Sequence, residues 1–311
     1  MREALEALTE ELRRLKADGV RGMPVSEATL AHLRSVVEKA RRADPGAAAS
    51  PPPPAREAAV LPRPDLPVPA APAALARTAP ALPAGIAPVP PTPPVVELPA
   101  GDKRAKWNAL KKQVLDDPVC RAHVRPGKQV VLGVGDLDAK IFFCGEAPGA
   151  DEEVQGEPFV GAAGQLLNKM IQAMGLKREQ VYIGNIMNWR PELPVAGGGE
   201  QYGNRPPTPE EMAYCLPYLR AQIEIVQPEL IVALGATAAG GLLGQGTFKT
   251  LGEIRSRWHQ FAGKPVMVTY HPSYILRNQS NRSKRAIWED LMQVMERAGL
   301  AISEKQRAFF L

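Results

Sequence analysis

The chain reads as an α/β protein, with a central parallel sheet flanked by helices on both faces and an N-terminal helical hairpin joined to it by a Pro-rich linker. Three observations carry this. From Trp107 onward, short apolar runs rich in β-branched and aromatic residues alternate with longer helix-like stretches, the pattern of a parallel sheet covered on both sides. Residues 51–100 hold 17 of the 32 prolines, so neither helix nor sheet continues through them. Before that stretch, apolar residues recur at spacings of three and four, which is helical.

Taken in order, residues 1–43 predict the hairpin. Leu5, Leu8, Leu12 and Leu15 form one stripe, Gly19–Pro24 breaks it, and Ser26 opens a second helix with Glu27 early and basic residues late, as the helix dipole prefers. Two short helices with so narrow a stripe are marginal alone. They are expected to dock on the main domain, on a second copy, or on another protein. Residues 44–100 form an extended linker, read as a spacer, with a docking site for a proline-reading module as the sharper option. Residues 101–311 form the main domain. Its expected strands are Lys140–Cys144, Val181–Asn185, Leu230–Leu234 and Val266–Tyr270. Its expected helices are Gly164–Met174, Thr208–Val226, Ala236–Leu243 and roughly Arg282–Ala298. Thr208 with Glu211 makes a capping box, with Pro209 at the first helical position. Ligands of such sheets bind beyond the carboxyl ends of the strands, where Glu146, Asn185, Ala236 and His271 fall.

A net charge of +5 suits a polyanionic partner. No apolar run approaches the ~20 residues that span a bilayer, and MREALEALTEELRRLK lacks the apolar core of a signal peptide. Three unevenly spaced cysteines make no disulfide framework. The sequence therefore reads as cytoplasmic, with no membrane partner.

Two strand-to-loop junctions concentrate chemistry. KIFFC runs into GEAPG (Gly145–Gly149), followed by GEPFVG (Gly156–Gly161), and PVMVTY runs into HPSYILR (His271–Arg277). With VYIGNIMNWRP from Val181, PTPEE from Pro207 and PELIVALGATA from Pro228, these stretches stand in the order found in the uracil-DNA glycosylase superfamily. Over Trp107–Met295 the chain most resembles family 4. The resemblance implies that superfamily's three-layer fold and hydrolysis of the N-glycosidic bond of a flipped-out deoxyuridine in DNA. The product would be an abasic site for base-excision repair in the nucleoid. With no evident lysine nucleophile, strand cleavage is not expected.

That reaction builds positive charge on the sugar and negative charge on the base, in a pocket that receives an extruded nucleotide. The resemblance gives Glu146 the water and the cationic sugar, and His271 the base carbonyl O2. Phe159 becomes the stacking plate. Asn185, whose amide both donates and accepts, reads O4 and N3–H, with Asn188 as the second choice. Gly145 and Ala147 complete the uracil-binding set through their backbone. Ser273, Arg277, Ala236 and Thr237 are assigned to phosphate, the last two at a helix N-terminus. Tyr274, Ile275 and Leu276 form an apolar tip that wedges into the duplex. Arg277, Arg282, Lys284 and Arg285 form a backbone-binding patch.

Two departures from family 4 stand out. Its members typically hold a [4Fe–4S] cluster on four cysteines, but here the matching positions are Asp117, Cys120, Trp189 and Cys215. Two thiolates remain where four are needed, so no cofactor is expected, and Trp189 is expected to fill part of the vacated volume. A residual metal on Cys120, Cys215 and His123 is the alternative. The loop Glu192–Pro207 is long and Gly-rich, and carries Arg205 but no His. That is unlike the His-bearing insertion of the branch that becomes covalently trapped on uracil DNA. Two other functions fit the same residues: a non-catalytic uracil-DNA-binding scaffold, and a glycosylase shifted to hypoxanthine or xanthine.

Overall fold

The structure, a computed structural model, describes residues 92–193 and 200–311. The hairpin expected over 1–43 and the linker as far as residue 91 lie outside the described residues. The last part of the stretch assigned to the linker does not stand off the domain. Residues 92–100 form neither helix nor strand, Val96 and Leu98 pack on the core, and Gln113 donates to the Glu97 carbonyl.

Helix α1 (Lys103–Asp116) starts at Asp102, whose carboxylate accepts from the Ala105 N–H, and α2 (Pro118–Ala122) starts at Asp117, whose carboxylate accepts from the Cys120 N–H. The sheet follows: β1 (Val134–Gly135), β2 (Ile141–Gly145), β3 (Tyr182–Asn185), β4 (Leu230–Leu234), β5 (Trp258–Phe261) and β6 (Lys264–Thr269). Their spatial order is β1-β3-β2-β4-β6-β5. The four inner strands are parallel, as expected. Each edge strand is antiparallel, so the sheet is mixed rather than wholly parallel. The sequence hid both edges. β1 is too short to show a period, and β5 joins β6 through Ala262–Gly263, both at positive φ (48° and 74°), a two-residue hairpin turn without the Asn-Gly or Asp-Gly signature.

Alternate residues of the inner strands feed opposite layers. Phe142, Cys144, Ile231, Ala233, Val266 and Val268 face the core under α1, α5 (Pro209–Val226) and α6 (Ala236–Leu243). Ile141, Phe143, Val232, Leu234 and Met267 face the core under α4 (Ala162–Ala173) and α9 (Asn281–Arg297). Burial on both faces is why these strands read as unbroken apolar runs. The Thr208–Glu211 capping box is present at the start of α5. Shorter helices α3 (Ala150–Gln155), α7 (Leu251–Ile254), α8 (Pro272–Arg277) and α10 (Glu304–Arg307) were not anticipated.

Register positions the site. Gly145 on β2 pairs with Asn185 on β3, Cys144 with Ala233 on β4, and Leu234 with Thr269 on β6. The residues just past these pairs therefore meet at one edge of the sheet.

Candidate active site

A cleft of about 580 Å³ opens at that edge. Glu146, Ala147, Phe159, Asn185, Ala236, His271, Ser273 and Arg277 all line it, so eight of the ten residues assigned to catalysis, uracil and phosphate come together. The other two lie just behind. Gly145 forms its buried floor, where a Cβ would overlap both the Phe159 ring and the Asn185 amide. Its contribution is empty space. Thr237, at the start of α6, stands near Glu146 and tends to lower its carboxyl pKa.

Glu146 is partly buried, and desolvation raises its pKa against the lowering pull of Thr237. His271 shows the opposite response. Burial, helped by the charge of Arg277, lowers it to about 4, so the imidazole is neutral near pH 7. Its tautomer follows from local structure. His271 is the N-cap of α8, and its Nδ1 accepts from the Ser273 N–H at 3.1 Å. An accepting Nδ1 leaves the proton on Nε2. The Ser273 hydroxyl lies 2.9 Å from the same Nδ1 and acts with its own N–H in orienting the ring. The Phe159 ring lies 5.6 Å from the imidazole, tilted by 32°.

Asn185 is 6% exposed, and its Oδ1 has no hydrogen-bond partner. A buried unpaired acceptor is uncommon in a folded protein, and this one belongs to a residue lining the cleft. Asn188 is elsewhere: its Nδ2 donates to the Val131 carbonyl, and it does not line the cleft.

The expected apolar tip is divided by its helix. Ile275 is buried in the core and Tyr274 stacks on Tyr270 at 4.4 Å, which leaves Leu276, 41% exposed, at the surface. The backbone-binding patch also shrinks. Arg285 pairs with Glu289 and donates to the carbonyls of Arg307 and Phe309, pinning the C-terminal segment.

The long loop Glu192–Pro207, whose glycines suggest a DNA-facing lid, supplies the opposite rim. Asn204, Arg205 and Pro206 line it, held from below by Arg190. That guanidinium pairs with Glu153 at 2.8 Å and donates to Gly203 O at 2.7 Å and Asn204 Oδ1 at 2.8 Å. Arg205 forms a two-pronged pair with Glu211. Sequence reasoning missed Glu152, although a carboxylate three residues after Gly149 is a capping signal. It accepts from the N–H groups of Gly149, Val160 and Gly161.

The residues at the family-4 cluster positions do not fit an iron–sulfur cluster. Burial tends to raise the Asp117 carboxyl, but hydrogen bonds from the Cys120 N–H, Tyr218 and Tyr214 outweigh it and hold it low. Trp189 is wholly buried and lies flat on His123, centroids 4.9 Å apart. Desolvation raises the pKa of both the Cys120 and Cys215 thiols. Among the described residues, no three His, Cys, Asp or Glu side chains gather as a metal site.

Comparison with known proteins agrees with this geometry. The family model of the uracil DNA glycosylase superfamily matches residues 132–292, from just before β1 into α9. A type-4 uracil-DNA glycosylase of Thermotoga maritima is 45% identical over 165 residues, covering 52% of this chain and 79% of the relative. Enzymes of the same description from Archaeoglobus fulgidus and Pyrobaculum aerophilum are 40% and 39% identical, covering 80% and 78% of their lengths. The matched span contains all four inner strands and the whole cleft, and on that ground the chain belongs to the uracil DNA glycosylase superfamily and is family 4-like.

Proposed function

We propose that the protein is a monofunctional uracil-DNA glycosylase that hydrolyses the bond between uracil and deoxyribose and leaves an abasic site. The observation that carries this is the unpaired Asn185 Oδ1 beside the Phe159 ring. A flat base with a ring N–H next to a carbonyl satisfies both: N3–H donates to Oδ1, O4 accepts from Nδ2, and the ring covers the base. Cytosine presents the reversed pattern and leaves the amide mismatched, which costs far more than a lost contact.

The chemistry follows from the charges. As the C1′–N1 bond breaks, its electron pair goes to the uracil ring, and the His271 Nε2–H donates to O2, where that charge gathers. A neutral imidazole serves here, since it gives a hydrogen bond without surrendering its proton. The Glu146 carboxylate faces the cationic sugar and takes the proton of the water whose oxygen bonds to C1′. Preorganised groups of this kind supply most of the rate in such sites. Arg277 and the Ala236 end of α6 hold the flanking phosphates, Ser273 being engaged with His271 instead, and Leu276 fills the gap left by the extruded nucleotide.

On this reading the fold stands without a cluster, with Trp189 and the Asp117 hydrogen bonds in its place. The protein works in the cytoplasm on nucleoid DNA, and the N-terminal hairpin or the Pro-rich linker engages a protein partner. No helix among the described residues is long and apolar enough to cross a membrane. The test is alkali treatment and gel analysis of oligonucleotides carrying uracil, hypoxanthine or xanthine after incubation with the protein. Breakage at uracil is the expected result. Breakage only at the purines reassigns the lesion, and intact strands with retained uracil-DNA binding make the protein a scaffold.

A further inference from the structure

Phe159 holds a backbone φ of 55°, a left-handed conformation that a bulky residue keeps only when its surroundings impose it. The surroundings here are two ionisable side chains from outside the loop. Arg178, in the 3-10 turn before β3, donates from Nη2 to the Pro158 carbonyl at 2.6 Å and from Nη1 to the Phe159 carbonyl at 3.1 Å. Its Nη1 also reaches Asn168 Oδ1 on α4 at 3.0 Å. On the other side of the loop, Glu152 Oε1 accepts from the N–H groups of Val160 and Gly161, each at 3.0 Å. Glu152 Oε2 accepts from the Gly149 N–H, which ties this loop to the one bearing Glu146. Behind the turn, Gly164 lies so close to the Phe159 carbonyl that a Cβ would overlap it. The peptides from Pro158 to Gly161 are thus fixed by a guanidinium on their carbonyls and a carboxylate on their amides.

We propose that Arg178 is a positioning residue: acting with Glu152 across the loop, it holds Phe159 in its strained conformation and so sets the angle of the plate against the Asn185 amide and the His271 ring. Arg178 does not line the cleft, and its effect reaches the substrate through the Phe159 backbone. A lysine cannot substitute, because one ammonium does not reproduce a planar fork spanning two successive carbonyls. A displacement on the order of 1 Å in such a group costs about a hundredfold in rate.

The catalytic half of the test rests on the glycosylase reading, and the backbone half does not. Arg178→Ala is expected to lower single-turnover uracil excision by about 10- to 100-fold while affinity for abasic-site DNA stays unchanged, since the phosphate-binding residues are elsewhere. Millimolar guanidinium should restore part of the rate. Hydrogen exchange should accelerate at Phe159–Gly161 and not in the inner strands. Excision at the wild-type rate overturns the proposal, as does a loss of rate without faster exchange at those amides. If Arg178→Ala does not fold, Arg178→Lys carries the same two readouts, and a lysine variant matching wild type in both overturns the clamp. If the wild-type protein leaves uracil in place, the glycosylase reading falls, and the exchange rates of the variants then decide the clamp.

Discussion

Glu146 and His271 are both desolvated, and desolvation drives their protons in opposite senses. The carboxyl is raised, so Glu146 takes up a proton as pH falls while the solution is still above the ordinary carboxylate range. The imidazole is lowered to about 4 and stays a neutral donor through that interval. The acid limb of the rate profile should therefore belong to Glu146. Glu146→Gln should abolish that limb along with most of the activity, and a limb unchanged in the variant would reassign it. Glu146→Ala and His271→Ala should each lower single-turnover cleavage by ~10²–10³ with little change in DNA affinity, because Arg277 and the N-terminus of α6 are untouched. Losses of affinity in proportion to rate would contradict that division. Asn185→Asp should weaken discrimination between uracil and cytosine, since a carboxylate accepts from the cytosine amino group but cannot donate to O4. Rates measured on paired oligonucleotides check this, and unchanged rates on both bases would remove Asn185 from recognition. The residues that line the cleft were legible in the sequence because strand ends in an α/β sheet bring them together. Glu152, Arg178 and Arg190 were not, because side chains that bind loop backbone leave no periodic trace.

Among the elements, the inner strands were readable within a residue or two at most ends, since burial on both faces leaves them continuously apolar. β5 was not, because Trp258, His259 and Gln260 mix polar with apolar, and His259 turns its ring to the Ile254 carbonyl. The segment after β6 was read as a loop and is helix α8. Six residues show no period, although Pro272 at its first position and His271 as cap were visible signals. The helix matters for function because it sends Ile275 into the core and leaves Leu276 outward. Leu276→Ala should slow excision from duplex DNA more than from single strands, where no stack has to be opened. An equal effect on the two substrates would take the wedge away from Leu276. Stability should barely change, given the exposure of that side chain.

For the whole molecule, the residues that line the cleft all fall between Glu146 and Arg277. A protein beginning at residue 92 should cleave a short uracil oligonucleotide at close to the full rate, and a hundredfold loss in a folded truncation would bring the earlier residues into the active unit. The cut belongs before residue 92 because Val96 and Leu98 pack on the core. The sequence shows Asp117 and Trp189 where the family-4 resemblance expects cysteines. What surrounds Asp117 became visible only in three dimensions, where Tyr214 and Tyr218 from α5 converge on its carboxylate. Those tyrosines lie about a hundred residues away in the chain, and no local pattern links them. The central proposal is uracil excision by a fold that needs no iron. The direct measurement is the single-turnover excision rate from a uracil duplex, taken on protein purified with a chelator and assayed for iron in the same sample. Full excision with far less than one iron per chain is the predicted result. About four irons per chain, with excision lost as the iron is removed, would contradict it.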